Sequence, residues 1–367
     1  MRTLLHACST FEVGGAQTRL AQIANHFGRK YRHLVVAMDG KTEALAHFDD
    51  NVDVELLSIP VRHGRTLGNL GPFRDMLHDI NPDLLLTYNW GAIDWALSNM
   101  MARRPHLHLE DGFGPQETER QLPRRVWIRR LFLRRSTTLL PSRVLYRIAL
   151  DQWRLPKKNL IYVPNGIDCD RFARAPDWEF AARFGIPRGE FIVGSVAGLR
   201  PEKNLARLVE AFAVVAKRRP ARLVLIGDGD ERPALTAQAA AFGLADRVIF
   251  TGNSKVPEKL LPCFDVFAMS SNTEQMPISL IEAMAAGRPA AATDVGDIIN
   301  MVTPENRPYV VPRDAVRLAE AIISLMDDPD LAARIGAANA RRAREEFAEQ
   351  RMFDSYEKLF DGAVARR

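Results

Sequence analysis

Two parallel-sheet α/β domains are predicted for this chain by three observations. Apolar strand-like runs alternate with helix-like stretches from one end to the other, as they do where helices pack on parallel strands. The runs form two series: residues 2–8, 33–38, 54–59, 83–88, 106–110, 137–140 and 160–163, then 191–197, 222–227, 247–251, 265–269, 290–292 and 309–311. A length of 367 residues allows each series its own core. Each series reads as a Rossmann-like domain. Turn residues place the joint between Asn165-Gly166-Ile167-Asp168 and Pro187-Arg188-Gly189. Residues 1–170 and 171–349 are therefore taken as the two domains. Residues 350–367 are read as a terminal helix, because Phe353, Tyr356, Leu359 and Phe360 recur at helical spacing.

With 47% apolar and 26% charged residues, the composition is that of a folded globular chain, not a disordered one. No apolar run approaches the ~20 residues a membrane span needs. Met1 to Cys8 reads as a short strand and is too short for the apolar core of a signal peptide. Cys8, Cys169 and Cys263 are scattered, which suggests neither a disulfide framework nor a zinc site. The cytoplasm is the expected compartment. The net charge of +5 is uneven: nine arginines and no acid fall within 120–150. There Arg120, Arg124, Arg125, Arg129, Arg130, Arg134 and Arg135 interleave with Trp127, Ile128, Leu131, Phe132 and Leu133. At 100° per residue the arginines scatter around a helix instead of forming one stripe. Such a segment can attract an anionic membrane surface or an acidic acceptor; a solvated helix packed on one side is the plainer alternative. Nucleic acid is disfavoured, because no recognised binding module accompanies the charge.

In chain order, the first element with chemical potential is Val13-Gly14-Gly15-Ala16-Gln17, between strand 2–8 and a helix over 16–27. Paired glycines at a helix start let a ligand approach the backbone closely. No later glycine completes a dinucleotide fingerprint, so nicotinamide binding is disfavoured. Strand 106–110 ends in Glu110-Asp111-Gly112-Phe113-Gly114, with His108 on the face of Glu110 and expected in the core. After strand 191–197 comes Gly198-Leu199-Arg200-Pro201-Glu202-Lys203-Asn204. Two cations three apart at the mouth of a strand can neutralise a diphosphate leaving group, or can be plain solvated loop charge. Asp168-Cys169-Asp170 follows an Asn-Gly turn, and Asp228-Gly229-Asp230 suits turn and N-cap duty, so neither is expected to hold a metal.

The densest stretch runs from Ser270 to Pro289. Asp265 to Met269 reads as a buried strand, Pro277 suits the first turn of a helix, and Gly287-Arg288-Pro289 is a helix stop. Glu274 then lies in a strand-to-helix loop. Glu282 lies on the helix, roughly 7–8 Å along its axis. Two carboxylates thus bracket a helix N-terminus, whose free N–H groups and positive dipole end favour phosphate. A ligand with hydroxyls at both ends and phosphate between, such as a nucleotide sugar, matches that arrangement. An ordinary β-loop-α unit with one capping acid and one surface acid is the plainer reading.

This stretch resembles the glutamate–seven residues–glutamate motif of the family-four retaining glycosyltransferases, and Gly287-Arg288-Pro289 and Thr293-Asp294-Val295-Gly296 extend the match. The resemblance covers nearly the whole chain. It implies the GT-B fold, two Rossmann-like domains facing each other across a cleft, with a C-terminal helix crossing back to the first. It implies a metal-independent enzyme that moves a sugar from a nucleotide diphosphate donor, expected to be a UDP-sugar, to a saccharide or lipid-linked acceptor. The first domain would hold the acceptor and the second the donor. On the matching positions, Glu274 is the expected catalytic carboxylate at the donor sugar and Glu282 the ribose ligand. Arg200 and Lys203 would hold the diphosphate together with the helix N-terminus at Met276, Pro277, Ile278 and Ser279. Asn253 would lie at the base and Gly14 and Gly15 at the diphosphate and acceptor. Many members carry a histidine where this chain has Asp111, and many place the arginine directly after the glycine where Leu199 intervenes here. Asp111 is the second expected catalytic residue, since a carboxylate can accept hydrogen bonds from sugar hydroxyls or from the acceptor nucleophile. No cofactor is implied. A nucleotide-sugar epimerase would need a further acid/base set and no acceptor. A non-catalytic nucleotide-sugar-binding partner would be expected to lose some of Gly15, Lys203, Glu274 and Glu282.

Overall fold

The predicted strand runs all form strands in the computed structural model, which describes residues 1–59, 61, 66–113, 117 and 120–364. Residues Met1–Asn165, with the chain from Met352 on, make one compact unit, and Gly166–Arg351 make the other. The first contains β1 (Arg2–Cys8), β2 (Tyr31–Ala37), β3 (Asp53–Leu57), β4 (Leu84–Tyr88), β5 (His106–Leu109), β6 (Thr137–Leu140) and β7 (Leu160–Tyr162). They form one parallel sheet in the order β3-β2-β1-β4-β5-β6-β7. The second contains β8 (Phe191–Val196), β9 (Ala221–Ile226), β10 (Val248–Gly252), β11 (Val266–Met269), β12 (Ala290–Thr293) and β13 (Val310–Val311), ordered β10-β9-β8-β11-β12-β13.

Apolar clusters on both faces of each sheet explain why the strands read as continuous apolar runs. β2 starts two residues earlier than the sequence suggests. The register pairs Arg2 with Tyr31, and the apolar run is interrupted by Arg32, which reaches Glu55 of β3 at 2.7 Å, and by the buried His33. In each unit the strand order reverses beside its first strand. Open α/β sheets bind ligands outside the carboxyl ends of the strands at that point. In the second unit the reversal lies between β8 and β11, so the loops that leave those two strands are the ones brought together.

From Met352 on, the terminal helix Glu349–Val364 packs in the first unit, where Phe353 stacks on His26 at 3.9 Å and Phe360 meets Tyr31 edge-on. Its predicted last three residues, 365–367, lie outside the described residues, as does Gly114. Ile167 and Cys169, at the predicted end of the first domain, pack instead in the core of the second unit. No helix among the described residues is long and apolar enough to cross a membrane.

The basic segment departs from its surface reading. Arg129, on the helix Pro123–Phe132, is fully buried, paired with Glu110 at 3.0 Å and with Glu117 at 3.3 Å. Its guanidinium lies 5.1, 5.4 and 4.9 Å from the ring centres of Trp90, Phe113 and Trp153. Arg125 also pairs with Glu117, and Arg130 donates to the carbonyls of Gln152 and Trp153. Both carboxylates stand outside 120–150, so a local charge count could not see the compensation. Arg120, Arg124, Arg134 and Arg135 remain exposed, as does Trp127 at 60%.

Candidate active site

Two loops at the reversal point of the second sheet build the site. After β8 the chain turns through Pro201–Lys203 to Asn204, whose left-handed backbone (φ +42°) caps the helix Leu205–Val215 by accepting from the Arg207 N–H. This tight turn delivers Lys203 to the loop after β11. There the Lys203 ammonium meets Glu274 Oε1 at 2.6 Å, and the Ser271 hydroxyl donates to the same oxygen at 2.7 Å. The Glu274 side chain is only 8% exposed.

The two loops are stitched along their length. The Asn272 N–H donates to the Glu202 carbonyl, the Ser270 hydroxyl to the Lys203 carbonyl, and Arg207 to the Ser270 carbonyl and Asn272 Oδ1. From the other side, Thr293 at the end of β12 donates to the Ser271 carbonyl at 2.7 Å. Gly296 (φ +58°) passes so close that a Cβ there would lie 2.0 Å from the Glu274 carbonyl oxygen. Thr293 and Gly296 thus have a packing reason to be those residues. Among the described residues no hydrogen bond takes Glu274 Oε2, and Glu274 is the only acceptor for the lysine ammonium, which leaves donors and an acceptor side by side for a ligand.

The helix that follows is Ile278–Ala285. Pro277 is its N-cap, in extended conformation, and not a first-turn residue as the sequence suggested. Met276 is buried beside it, so Ile278 and Ser279 present the leading N–H groups. Gly287 (φ +70°) ends the helix, with its N–H on the Met284 carbonyl and the Arg288 N–H on that of Ala283. One turn in, Glu282 is half-buried and its carboxylate accepts no hydrogen bond among the described residues. Burial pushes its carboxyl up to about 7; Arg171 opposes that shift, and Glu258 adds to it. Arg171 itself is held by Glu258 at 2.8 Å. A half-buried carboxylate without a donor suits a ligand hydroxyl pair.

Other predicted positions fall differently. Arg200 is exposed and pairs with Glu202 at 3.1 Å. Asn253 is exposed just beyond Gly252, whose carbonyl accepts from the Gly227 N–H at the edge of β10. Asp228 accepts from the Gly229 N–H and pairs with Arg232, which is turn duty, but Glu231 takes the helix N-cap. Asp168 N-caps the short helix Cys169–Phe172 with bonds to the N–H groups of Asp170 and Arg171, a role its Asn-Gly context did not reveal.

In the first unit, Gly14 is the N-cap of the helix Gly15–Phe27, with φ −155°, so its backbone does not demand glycine. A Cβ on Gly15 would meet nothing within 4 Å, which is open space at a helix start. Asp111 is clasped by Arg19 through two bonds, 2.6 and 2.8 Å, while Arg19 also donates to Asn165 Oδ1. Burial opposes the Arg19 charge, yet Asp111 outweighs it and raises the guanidinium pKa. Arg19 was legible in principle: it lies four residues before Ile23 on the apolar face of its helix, where a cation needs a partner. His108 is buried as expected, with Nδ1 at 2.8 Å from Thr87 Oγ1 and Nε2 at 3.6 Å from Glu110. Removing one partner of a buried pair leaves the other uncompensated. Asp111→Ala is therefore expected to cost about 3 kcal/mol of stability. Chemical denaturation measures it, and an unmoved midpoint would show that Arg19 does not depend on Asp111.

Two family models divide the chain. The one described as Glycosyltransferase Family 4 matches residues 13–171, and the one described as Glycosyl transferases group 1 matches residues 176–342. A 2-deoxystreptamine glucosyltransferase of Streptomyces kanamyceticus is 35% identical over 177 residues, 46% of this chain and 45% of that protein. A GDP-mannose-dependent phosphatidylinositol monomannoside mannosyltransferase of Corynebacterium glutamicum is 30% identical over 200 residues, covering 51% and 52%. The chain thus spans about half the length of the curated relatives it matches. Among solved structures, Anabaena HepE in complex with UDP superposes with a TM-score of 0.83 over 99% of this chain and 100% of that one, at 20% identity, which shows the shared GT-B fold. With one model on each half and that fold throughout, the chain belongs to the group 1 glycosyltransferases of family four.

Proposed function

We propose that the protein transfers a sugar, with retention of anomeric configuration and without an obligatory metal, from a UDP-sugar to a saccharide or lipid-linked acceptor. The setting is the assembly of cell-surface polysaccharide or glycolipid. The observation that carries this reading is the Lys203–Glu274 contact beside the helix starting at Ile278, with Glu282 one turn further on. Lys203, Arg200 and the N–H groups of Ile278 and Ser279 stabilise the departing diphosphate. Glu274 holds the donor sugar and offsets positive charge developing at its anomeric carbon. Glu282 accepts the ribose hydroxyls, and Asn253 borders the base. Gly14 and Gly15 leave room for the diphosphate and acceptor, and Asp111, fixed by Arg19, accepts from sugar or acceptor hydroxyls. Arg120, Arg124 and Arg134, exposed with Trp127, suit an anionic membrane surface at which a lipid-linked acceptor would be met.

UDP is favoured because the similar HepE structure holds UDP, although the Corynebacterium relative is GDP-mannose-dependent. A panel of UDP- and GDP-sugars, read by calorimetry and then by the anomeric coupling of the product, tests the reading. Tighter binding of GDP-sugars overturns the base, and an inverted product overturns retention.

Glu282 adds a pH dependence. Its carboxyl titrates near 4.5 in an unfolded chain and about 7 in the folded protein. Ionisation therefore lowers stability progressively across that window, and the penalty is complete above it. A ligand that needs the ionised form binds more tightly as pH rises and levels off above about 7. UDP affinity is expected to fall about tenfold from pH 8 to pH 6, beyond any change seen in Glu282→Gln. Parallel pH profiles for the two proteins would remove Glu282 from the nucleotide.

A further inference from the structure

The N-terminal edge of the first sheet lies at the opposite ends of the strands from Gly14, Gly15 and Asp111. Two adjoining cavities of about 340 and 450 Å³ open there, at the start of β5 and β6. Both are lined by Arg103, Arg104, His106 and Arg135, and Lys358 of the terminal helix adds to the smaller one. Among the described residues no acid lines either cavity. Two acids beside Lys358 are turned elsewhere, Glu357 to Lys30 and Asp361 to Arg2 and Lys30. Arg103, Arg135 and Lys358 form no ion pair among the described residues. Arg104 donates to Asn81, and its Nε is buried with no acceptor.

His106 adds no charge. Its Nδ1 lies 2.6 Å from Ser136 Oγ and its Nε2 2.8 Å from Thr87 Oγ1, and burial lowers its pKa to about 3. Helix ends explain only part of the cluster. The helices Ile93–Ala102 and Pro123–Phe132 both end near these cavities, and their carbonyl ends contribute roughly half a negative charge each. Four full cations exceed that sum by about three charges. Water can solvate exposed arginines, but four cations converging on concave space repel one another, and a bound anion relieves that repulsion.

We propose that this double cavity is a second ligand site that takes a phosphate-bearing anion, a phosphomonoester or a diphosphate group. The arginine forks bind its oxygens in pairs, and Lys358 acts as a point charge at the second phosphate. The cavities have the size of small-molecule sites, so the rest of the ligand has room beside the phosphate. A soluble phosphorylated metabolite and a phospholipid headgroup present the same chemistry, and the test separates them.

The cavity variant combines Arg103→Asn, Arg135→Gln and Lys358→Gln. All three side chains are exposed, and asparagine keeps the left-handed backbone at position 103 (φ +56°). A control variant removes the same number of charges outside the cavities, through Arg120→Gln, Arg124→Gln and Arg134→Gln. Inorganic pyrophosphate is titrated calorimetrically at low salt into wild type and both variants, each carrying Lys203→Met so that the proposed donor diphosphate site does not compete. Expected are one-to-one binding by wild type, binding at least about tenfold weaker in the cavity variant, and little change in the control. Vesicles of phosphatidylcholine with and without phosphatidic acid then identify the source. Loss of attachment in the cavity variant assigns the site to a headgroup, and attachment equal to wild type, with pyrophosphate binding lost, assigns it to a soluble phosphate. The proposal is overturned if wild type does not bind pyrophosphate, if the cavity variant binds it as well as wild type, or if the control loses as much.

Discussion

Glu274→Gln is expected to lower turnover by about 100-fold while leaving UDP affinity unchanged or slightly raised. The glutamine amide keeps the shape and one acceptor oxygen, so the loops around Ser271 should keep their course. What it loses is charge, and under the proposed chemistry that charge matters most when the anomeric carbon becomes positive. Losing it also releases Lys203 from its 2.6 Å contact, which strengthens the lysine as a partner for diphosphate. Initial rates with saturating donor, together with UDP calorimetry, separate the two effects. Equal losses in affinity and turnover would move Glu274 from the sugar to the nucleotide.

Lys203→Met should weaken both steps. A charged hydrogen bond to a phosphate oxygen contributes about 1.5–3 kcal/mol, so UDP affinity is expected to fall by roughly 10- to 100-fold. Turnover should fall further, since the leaving diphosphate carries more charge in the transition state than in the bound donor. A stability loss is expected as well, because Glu274 is only 8% exposed and would retain the Ser271 hydroxyl alone. Lys203→Arg is not a conservative rescue here: a planar guanidinium does not fit the point contact that the Pro201–Lys203 turn presents. An affinity for UDP equal to wild type in Lys203→Met would remove the lysine from the diphosphate.

Much of this architecture was legible in the sequence, for a physical reason. Strands of a doubly covered parallel sheet are buried on both faces, so Leu84 to Tyr88 or Val266 to Met269 stand out as apolar runs without any periodicity analysis. The helix stop at Gly287 was equally plain, because left-handed backbone there favours glycine. Pairings between distant stretches were not legible. Nothing local in Gly198 to Asn204 says that Lys203, and not Arg200, reaches Glu274; the turn geometry decides it. Glu110 and Glu117 are nearly 20 and 12 residues from Arg129 in sequence, and only the fold shows that they and three aromatic rings take it out of solvent. Asp111 looked free to meet a ligand because its partner Arg19 is 92 residues away.

The central claim is that the loops after β8 and β11 and the helix Ile278–Ala285 hold the nucleotide. Hydrogen–deuterium exchange with and without saturating UDP addresses it segment by segment. Protection is expected over residues 198–204 and 270–285, and with UDP lowered to about the wild-type Kd little of it should remain in Lys203→Met. Protection confined to other segments, or equal protection in wild type and Lys203→Met, would contradict it.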